Sequence, residues 1–260
     1  MKMYQFQEYK YLVEKEQLET MRSAIIPFVK FDRFSKDRRF NEYTVRSIYF
    51  DSKKLECYNQ KIEGIDIRKK IRIRTYNEEN KNSMVFLEIK RKYLNSINKD
   101  RAPFKYKNME RVMAKKDIDK FILSPKNGKW GYDSARKFFY HIHKGPLFPK
   151  ALVIYEREAY QCKFNSFLRI TLDKKLRSSL NPKIHNIFSE DNIRYALPHY
   201  FIFEIKFYGG LPHWVQSIIS LNQLKRLALS KYTICLDSHI KRRGYFPELF
   251  SNKFLMNHKD

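Results

Sequence analysis

Two runs decide how this chain is read: Lys69-Lys70-Ile71-Arg72-Ile73-Arg74-Thr75-Tyr76 and, after a polar turn, Met84-Val85-Phe86-Leu87-Glu88-Ile89-Lys90-Arg91-Lys92. In the first, Lys70, Arg72 and Arg74 alternate with Ile71, Ile73 and Thr75. In the second, Glu88, Lys90 and Lys92 alternate with Leu87, Ile89 and Arg91. Strand side chains repeat with period two, so each run gathers its charges on one face and most of its apolar residues on the other. Residues 77–82, between them, are a turn by composition, so the runs pair as an antiparallel hairpin. A single hairpin of this kind would be an ordinary sheet with one wet face.

The same pattern recurs elsewhere. Arg157 shares a face with Tyr155 and Val153; Arg169, Thr171 and Asp173 share another, opposite Leu168, Ile170 and Leu172; Glu204 and Lys206 share a third, as do Glu8 and Lys10. A closed barrel accounts for this best, because closure removes the sheet edges and lets the inward face line a cavity. The fold class expected is therefore α+β, an antiparallel β-barrel tunnel with helices packed on the outside. The inward set is Lys10, Lys70, Arg72, Arg74, Lys90, Lys92, Lys99, Arg101, Arg157, Arg169, Lys206 and Lys231, against the acids Glu8, Glu88, Asp173 and Glu204. Confined, unpaired cations are costly, so such a cavity calls for a highly charged anion. The carboxylates can neutralise some cations, and they are also natural ligands for Mg²⁺ or Mn²⁺ bridging to phosphate.

The totals agree. Fifty-three basic and 28 acidic residues give a formal charge of +25, which favours polyanions without choosing among them. Hydrophobic content of 43% suits a globular chain, and aromatics at 16% favour strands. With 7 Gly and neither a Walker A nor a G-x-G-x-x-G pattern, a glycine-rich phosphate loop is excluded. Cys57, Cys162 and Cys235 are isolated, which points to a reducing compartment. No signal-type start and no run of 18 apolar residues is present, so a soluble, cytoplasmic protein is expected, reaching a membrane only through a partner. One domain over residues 1–240 with a basic, mobile tail at 241–260 is the simplest division.

In order, strands are expected at 4–13, 44–51, 69–76, 84–92, 99–107, 151–162, 167–172 and 200–208. Pro103 marks its strand as bulged or at an edge. Helices are expected at 15–29, 53–63 (closing at Gly64), 115–123 and 133–143. Another starts at Pro212, with Trp214, Ile218, Leu221, Leu224 and Ala228 on one face. Residues 31–39 read as a basic loop, and residues 173–198 give no clear element.

Eight segments, in order, resemble one family. They are Glu8-x-Lys10-Tyr11, Ser47-Ile48-Tyr49-Phe50-Asp51, Lys70-x-Arg72-x-Arg74-x-Tyr76, Phe86-Leu87-Glu88-Ile89-Lys90-x-Lys92, Tyr155-Glu156-Arg157-x-Ala159-Tyr160, Leu168-Arg169-x-Thr171-x-Asp173, Phe203-Glu204-Ile205-Lys206 and Ser230-Lys231-Tyr232. The resemblance, over roughly residues 4–235, is to the VTC domain, the polyphosphate polymerase domain of the vacuolar transporter chaperone complex and its bacterial relatives, within the triphosphate tunnel (CYTH-like) superfamily. It implies transfer of the γ-phosphate of ATP to a growing inorganic polyphosphate chain, with Mn²⁺ or Mg²⁺. Lys10, Arg72, Arg74, Lys90, Arg157 and Arg169 would hold the triphosphate and product phosphates, with Lys206 among these catalytic candidates. Lys99 or Arg101 occupies the region of another phosphate-binding base, Glu204 would hold the metal, and Ser230 and Lys231 would contact the terminal phosphate. Lys70 and Lys92 complete the substrate-binding set from their place in the alternation, as Glu88 and Glu8 complete the metal set.

One departure bears on the reaction. The superfamily signature Glu-x-Glu-x-Lys reads Phe6-x-Glu8-x-Lys10 here. Loss of the first Glu weakens a triphosphatase of the same fold, the principal alternative, and suits the polymerase branch. A non-catalytic polyphosphate-binding protein is the other alternative. Nucleic acid is disfavoured, because the basic residues alternate with aliphatics on paired strands instead of standing among aromatics on an open face. A membrane-protein partner for polymer export would have to be a separate chain. Bland readings remain for single residues: Glu8 and Asp173 as ion-pair partners, Asp117 and Asp119 as helix-terminal charges, His141 and His143 as diverging helix residues, and the basic runs at 36–39 and 241–243 as solvated charge.

Overall fold

The hairpin forms, and in the computed structural model its register sets Arg72 opposite Glu88, Lys70 opposite Lys90 and Arg68 opposite Lys92. Residues 6–36, 38–94, 96–124 and 130–240 are described. Along the chain these form β1 (Phe6–Glu14), α1 (Leu18–Ile25), β2 (Val29–Phe31), β3 (Tyr43–Asp51), α2 (Glu56–Ile62), β4 (Arg68–Tyr76), β5 (Met84–Tyr93), β6 (Ser96–Lys105), α3 (Met109–Met113), α4 (Ile118–Phe121), α5 (Trp130–Lys144), β7 (Phe148–Cys162), β8 (Arg169–Leu180), β9 (Arg194–Tyr195), β10 (Tyr200–Tyr208), α6 (His213–Leu221) and α7 (Lys231–Ile240). The strands make one curled antiparallel sheet in the order β1-β10-β8-β7-β3-β4-β5-β6, with β2 added to β7 and β9 to β8. Among the described residues no ladder joins the end strands β1 and β6. Across the interior, Lys90 of β5 reaches Glu8 of β1 at 3.4 Å.

The two faces of the sheet divide the labour. Ile71, Ile73, Leu87, Ile89 and Leu152 face outward and pack under α3 and α5 through Met109, Val112, Ala135 and Phe138. Leu168, Ile170, Leu172, Phe203 and Ile205 pack under α1 and α6 through Met21, Ile25, Val215 and Ile218. The inner face is filled at one end by α7: Tyr232, Ile234, Cys235 and Leu236 meet Val45, Tyr49, Val153, Tyr155 and Ile202. At the other end it carries the charges.

Several expected elements change length or place. β8 runs to Leu180, not to residue 172, because a bulge at Lys175 (φ 51°) shifts the register against β7 and inverts the alternation that identified the strand. α7 was not expected at all. A helix buried on most sides has no polar stripe, so period 3.6 is missing from Lys231–Ile240. α6 stops at Leu221, which is 82% exposed, so Leu224 and Ala228 lie beyond it. The segment after α6 is drawn to β1, where Leu227 donates its N–H to the Lys10 carbonyl at 2.9 Å. The helix expected over 115–123 shrinks to α4, preceded by α3, and Val29 leaves the first helix to start β2. The tail at 241–260 lies outside the described residues.

α7 is latched by a buried carboxylate. Asp51 accepts N–H groups from Ser52 (2.8 Å), Cys57 (2.9 Å) and Tyr58 (3.0 Å), and Tyr232 donates its hydroxyl to the same side chain at 2.7 Å. Removing one partner of a buried hydrogen bond costs about 1–3 kcal/mol. Tyr232→Phe is therefore expected to lower unfolding stability by about that much in urea titration, leaving the shape of the plug intact.

Candidate active site in the barrel lumen

Period-two alternation delivers nearly all the expected charges to one interior, because each strand contributes its inward positions at matched register. Glu8 lies opposite Lys206 and Lys10 opposite Glu204 across β1 and β10; Arg169 follows across β10 and β8, and Arg157 faces Asp173 across β7 and β8. On the other flank Arg101 and Lys99 of β6 lie opposite Glu88 and Lys90 of β5. Between the flanks is a cavity of about 920 Å³, lined among others by Glu8, Arg72, Arg74, Lys90, Lys99, Arg101, Arg157, Arg169 and Lys206.

Four carboxylates organise these cations. Glu88, almost fully buried, holds Arg72 at 2.7 Å, Lys99 at 2.8 Å, Arg101 at 3.0 Å and Arg74 at 4.0 Å. Glu8 holds Lys10 at 2.5 Å and Lys90 at 3.4 Å. Glu204 holds Lys206 at 2.8 Å and Lys231 at 3.7 Å, and both Glu8 and Glu204 lie 4.0 Å from the other's lysine, Lys206 and Lys10 respectively. Asp173 takes the Arg157 guanidinium in a bidentate pair (2.5 and 2.7 Å) and Lys231 at 2.6 Å. The remaining guanidinium edges are aimed by hydroxyls: Arg72 donates to the Tyr49 hydroxyl (2.8 Å) and Arg74 to Ser47 (2.9 Å). Arg101 donates to Tyr76 (3.1 Å) and lies 3.5 Å from the centre of the Phe86 ring.

The electrostatics follow from burial set against this crowd of cations. Burial and Glu204 push the Glu8 carboxyl up, but Lys10, Lys206 and Lys90 outweigh them and bring it to about 2. Burial likewise opposes ionisation of Glu88, Glu204 and Asp173, and the adjoining cations hold all three below the usual carboxylate range. Lys231 is raised, Asp173 and Glu204 overcoming its burial. Lys70 lacks a carboxylate partner among the described residues. Burial, then Lys10 and Lys90, push its ammonium well below the usual lysine value. It donates to the Ser230 hydroxyl at 2.8 Å.

The structure also sorts the expected residues. Lys10, Lys70, Ser230 and Lys231 lie beneath the cavity, at the α7 end, where Lys10 also donates to the Leu229 carbonyl at 3.4 Å. Lys92 is not among the cavity-lining residues: its ammonium turns to the exposed Asp66 at 3.2 Å. The strand continues beside the cavity, where Ile97 of β6 lies opposite Lys92, but the Lys92 side chain is drawn away by that ion pair. Arg169 pairs not with a strand carboxylate but with Asp32, at 2.7 Å. Arg33, Phe34, Lys36 and Arg38, from the loop read as solvated charge, line the cavity mouth. Period two identifies strand faces and is silent on loops that fold over them. Elsewhere, His141 lies 3.3 Å from Lys69, and Asp119 pairs with Arg136 at 3.3 Å on the surface.

Among the described residues no three His, Cys, Asp or Glu side chains converge on a metal-sized position. The expected metal set therefore divides. Glu8 and Glu204 are near enough to perturb one another, whereas Glu88 stands apart among Arg72, Lys99 and Arg101, its Oε1 within 3.0 Å of both Lys99 and Arg101 yet without a hydrogen bond among the described residues. Two carboxylates fit a hard divalent ion that draws its other ligands from phosphate oxygens and water. The Glu8–Glu204 pair fits that role.

The family model of the VTC domain matches residues 5–240. No curated protein sequence matches the chain. Among solved structures, a candidate adenylyl cyclase from Hippeastrum, described as having a dominant triphosphatase activity, is similar at 12% identity and a TM-score of 0.47, over 88% of this chain and 94% of that one. A candidate adenylate cyclase from Vibrio parahaemolyticus is similar at 10% identity and a TM-score of 0.42, over 88% and 96% respectively. No helix among the described residues is long and apolar enough to cross a membrane.

Because the folded Glu8 carboxyl sits at about 2 against an ordinary 4.5, its ionisation stabilises the fold above pH 4.5, and that contribution is lost as pH falls toward 2. Glu8→Gln is expected to melt below the wild type at neutral pH, with the difference narrowing through this window. Melting curves from pH 7 to pH 2 measure it.

Proposed function

The chain belongs to the VTC domain family, and from that premise we propose that it transfers the γ-phosphate of ATP to the end of an inorganic polyphosphate chain held in the lumen. The observation that carries this reading is convergence. Arginines and lysines from β4, β5, β6, β7, β8 and β10 meet on one cavity that α7 fills at its far end. Such a site suits a linear polyanion entering by its end. Phosphoryl transfer through a loose transition state needs positioning and charge neutralisation more than a protein nucleophile.

In this reading Arg72, Arg74, Arg157 and Arg169 grip phosphate oxygens, and their carboxylate and hydroxyl partners fix each guanidinium before substrate arrives. That preorganisation lowers the reorganisation needed when charge builds up in transfer. Lys10, Lys90, Lys206, Lys99 and Arg101 spread neutralising charge along the chain. Lys231 and Ser230, at the α7 end, meet the innermost phosphate. The Pγ–O bond to ADP breaks as the new P–O–P bond forms, and the cations near the bridging oxygen take up its negative charge. A divalent ion bound by Glu204 and Glu8 would further neutralise phosphate oxygens; Mn²⁺ and Mg²⁺ both suit carboxylate ligands. Phe6, standing where the hydrolytic signature has Glu, is a cavity-lining ring at the mouth, so one carboxylate fewer is available to activate water.

The decisive assay incubates the purified chain with ATP and Mn²⁺ or Mg²⁺ and resolves products on a polyphosphate-staining gel. A polymer ladder that Arg72→Ala and Glu204→Ala abolish supports the proposal. Free phosphate without polymer transfers the site to triphosphate hydrolysis. Binding of polyphosphate with neither product leaves a polyanion-binding protein.

Lys70, Lys90 and Lys99 are all held below the usual lysine value, first by burial. A bound polyanion opposes that shift, so binding should take up protons, and affinity should fall as pH rises through the depressed range. Calorimetric titration of tripolyphosphate in two buffers of different ionisation heat reads the uptake directly.

A further inference from the structure

The rim of the cavity carries cations that the transfer itself does not require. Between β2 and β3 the chain passes over the mouth, and its Arg33, Phe34, Lys36 and Arg38 all line the cavity while remaining exposed. This strap is anchored. Asp32 donates its N–H to the Ala159 carbonyl (2.9 Å), and its carboxylate accepts the N–H groups of Phe34 (2.9 Å) and Ser35 (3.0 Å). Ser35 is fully buried and its hydroxyl accepts the Ala159 N–H at 3.1 Å. The same Asp32 carboxylate holds lumen Arg169 at 2.7 Å. The root of the strap is thus tied to β7 and to the phosphate-facing cluster, and its cations are presented outward from a fixed base.

Their charge state of pairing differs from that of the lumen. Nearly every lumen cation is answered by Glu8, Glu88, Asp173 or Glu204. Among the described residues no carboxylate pairs with Arg33, Lys36 or Arg38, and Arg33 lies 4.7 Å from the Phe34 ring centre. Asp37, beside them in the sequence, lies outside the described residues. Because α7 fills the far end, a chain with its reacting end in the lumen leaves past this strap.

We propose that Arg33, Lys36 and Arg38 form a distal subsite for the phosphates of a polyphosphate chain that extend beyond the lumen, and that this subsite sets how long a product grows before release. The proposal rests on the polymerase reading. A chain held at lumen and rim together rebinds intramolecularly after either contact opens, so it dissociates more slowly than one held in the lumen alone. An exposed cation contributes to such binding mainly by releasing counterions, which makes the contribution salt-dependent.

The test compares two probes on the full chain: inorganic tripolyphosphate, which occupies the lumen alone, and long-chain polyphosphate. Arg33→Gln/Lys36→Gln/Arg38→Gln should weaken long-chain binding about 10-fold or more and lower its log–log salt slope by about 2, as three lost phosphate contacts on a single-stranded polyanion would. Tripolyphosphate affinity should stay within about 2-fold, and the product ladder should shorten. Arg33→Lys/Arg38→Lys, which keeps the charge, should retain long-chain affinity. Equal weakening of both probes would reduce the strap to a general field, and no change with either would remove it; both outcomes overturn the proposal while the polymerase reading stands. Failure of the wild type to bind either probe overturns both together, and Arg72→Ala, which should lose both, shows that the assay reports the lumen.

Discussion

The lumen is a problem of confined charge, and the rest of the structure follows from its solution. Cations brought together in a cavity repel one another and lose hydration, so each must find a counter-charge or be pushed toward neutrality. Glu88, Glu8, Glu204 and Asp173 supply that counter-charge, and each is shared among at least two cations. Sharing matters: a carboxylate divided among several cations leaves each with unspent attraction for an anion. Lys70, with a hydroxyl partner only, is held well below the usual lysine value by burial and by Lys10 and Lys90.

The scaffold keeps those charges from collapsing onto one another. Two external clusters clamp the outer face of the sheet, one under α3 and α5 and one under α1 and α6. A third fills the inner face at one end with α7, latched through Tyr232 to Asp51. Ser230 and Lys231 stand at the start of that helix, so the plug that makes the inner end apolar also carries the last polar groups of the lumen. The Lys90–Glu8 pair links β5 to β1, at the far edge of the sheet, through a contact that belongs to the site.

Most of the lumen was legible in advance because a strand advertises its two faces with period two. Ile71 and Ile73 against Arg72 and Arg74 leave little choice about which side is wet, and the same holds from Arg169 to Asp173 and from Glu204 to Lys206. The misreadings lie where that periodicity stops. Lys175 inserts an extra residue into β8 and hides its second half. α7 is covered nearly all round and shows no stripe. Lys92 continues the alternation in sequence but turns its ammonium out to Asp66, and Glu88 stands apart from the other candidate metal ligands, ringed by Arg72, Lys99 and Arg101. Arg33, Lys36 and Arg38 carry no periodic signal, because nothing local to the loop specifies that it folds over a mouth built by other strands.

The sequence by itself determined the strands, their buried and charged faces, the basic interior and, through its motifs, the family resemblance, since these are written in nearest-neighbour spacing, charge and residue identity. Only the tertiary structure decided which carboxylate answers which cation, that Glu8 and Glu204 form a pair while Glu88 stands apart, that α7 plugs one end, and that Asp32 ties a distant loop to Arg169. Those facts depend on the curvature and register of the whole sheet, which place residues more than a hundred positions apart within hydrogen-bond reach. Local spacing carries no record of that distance.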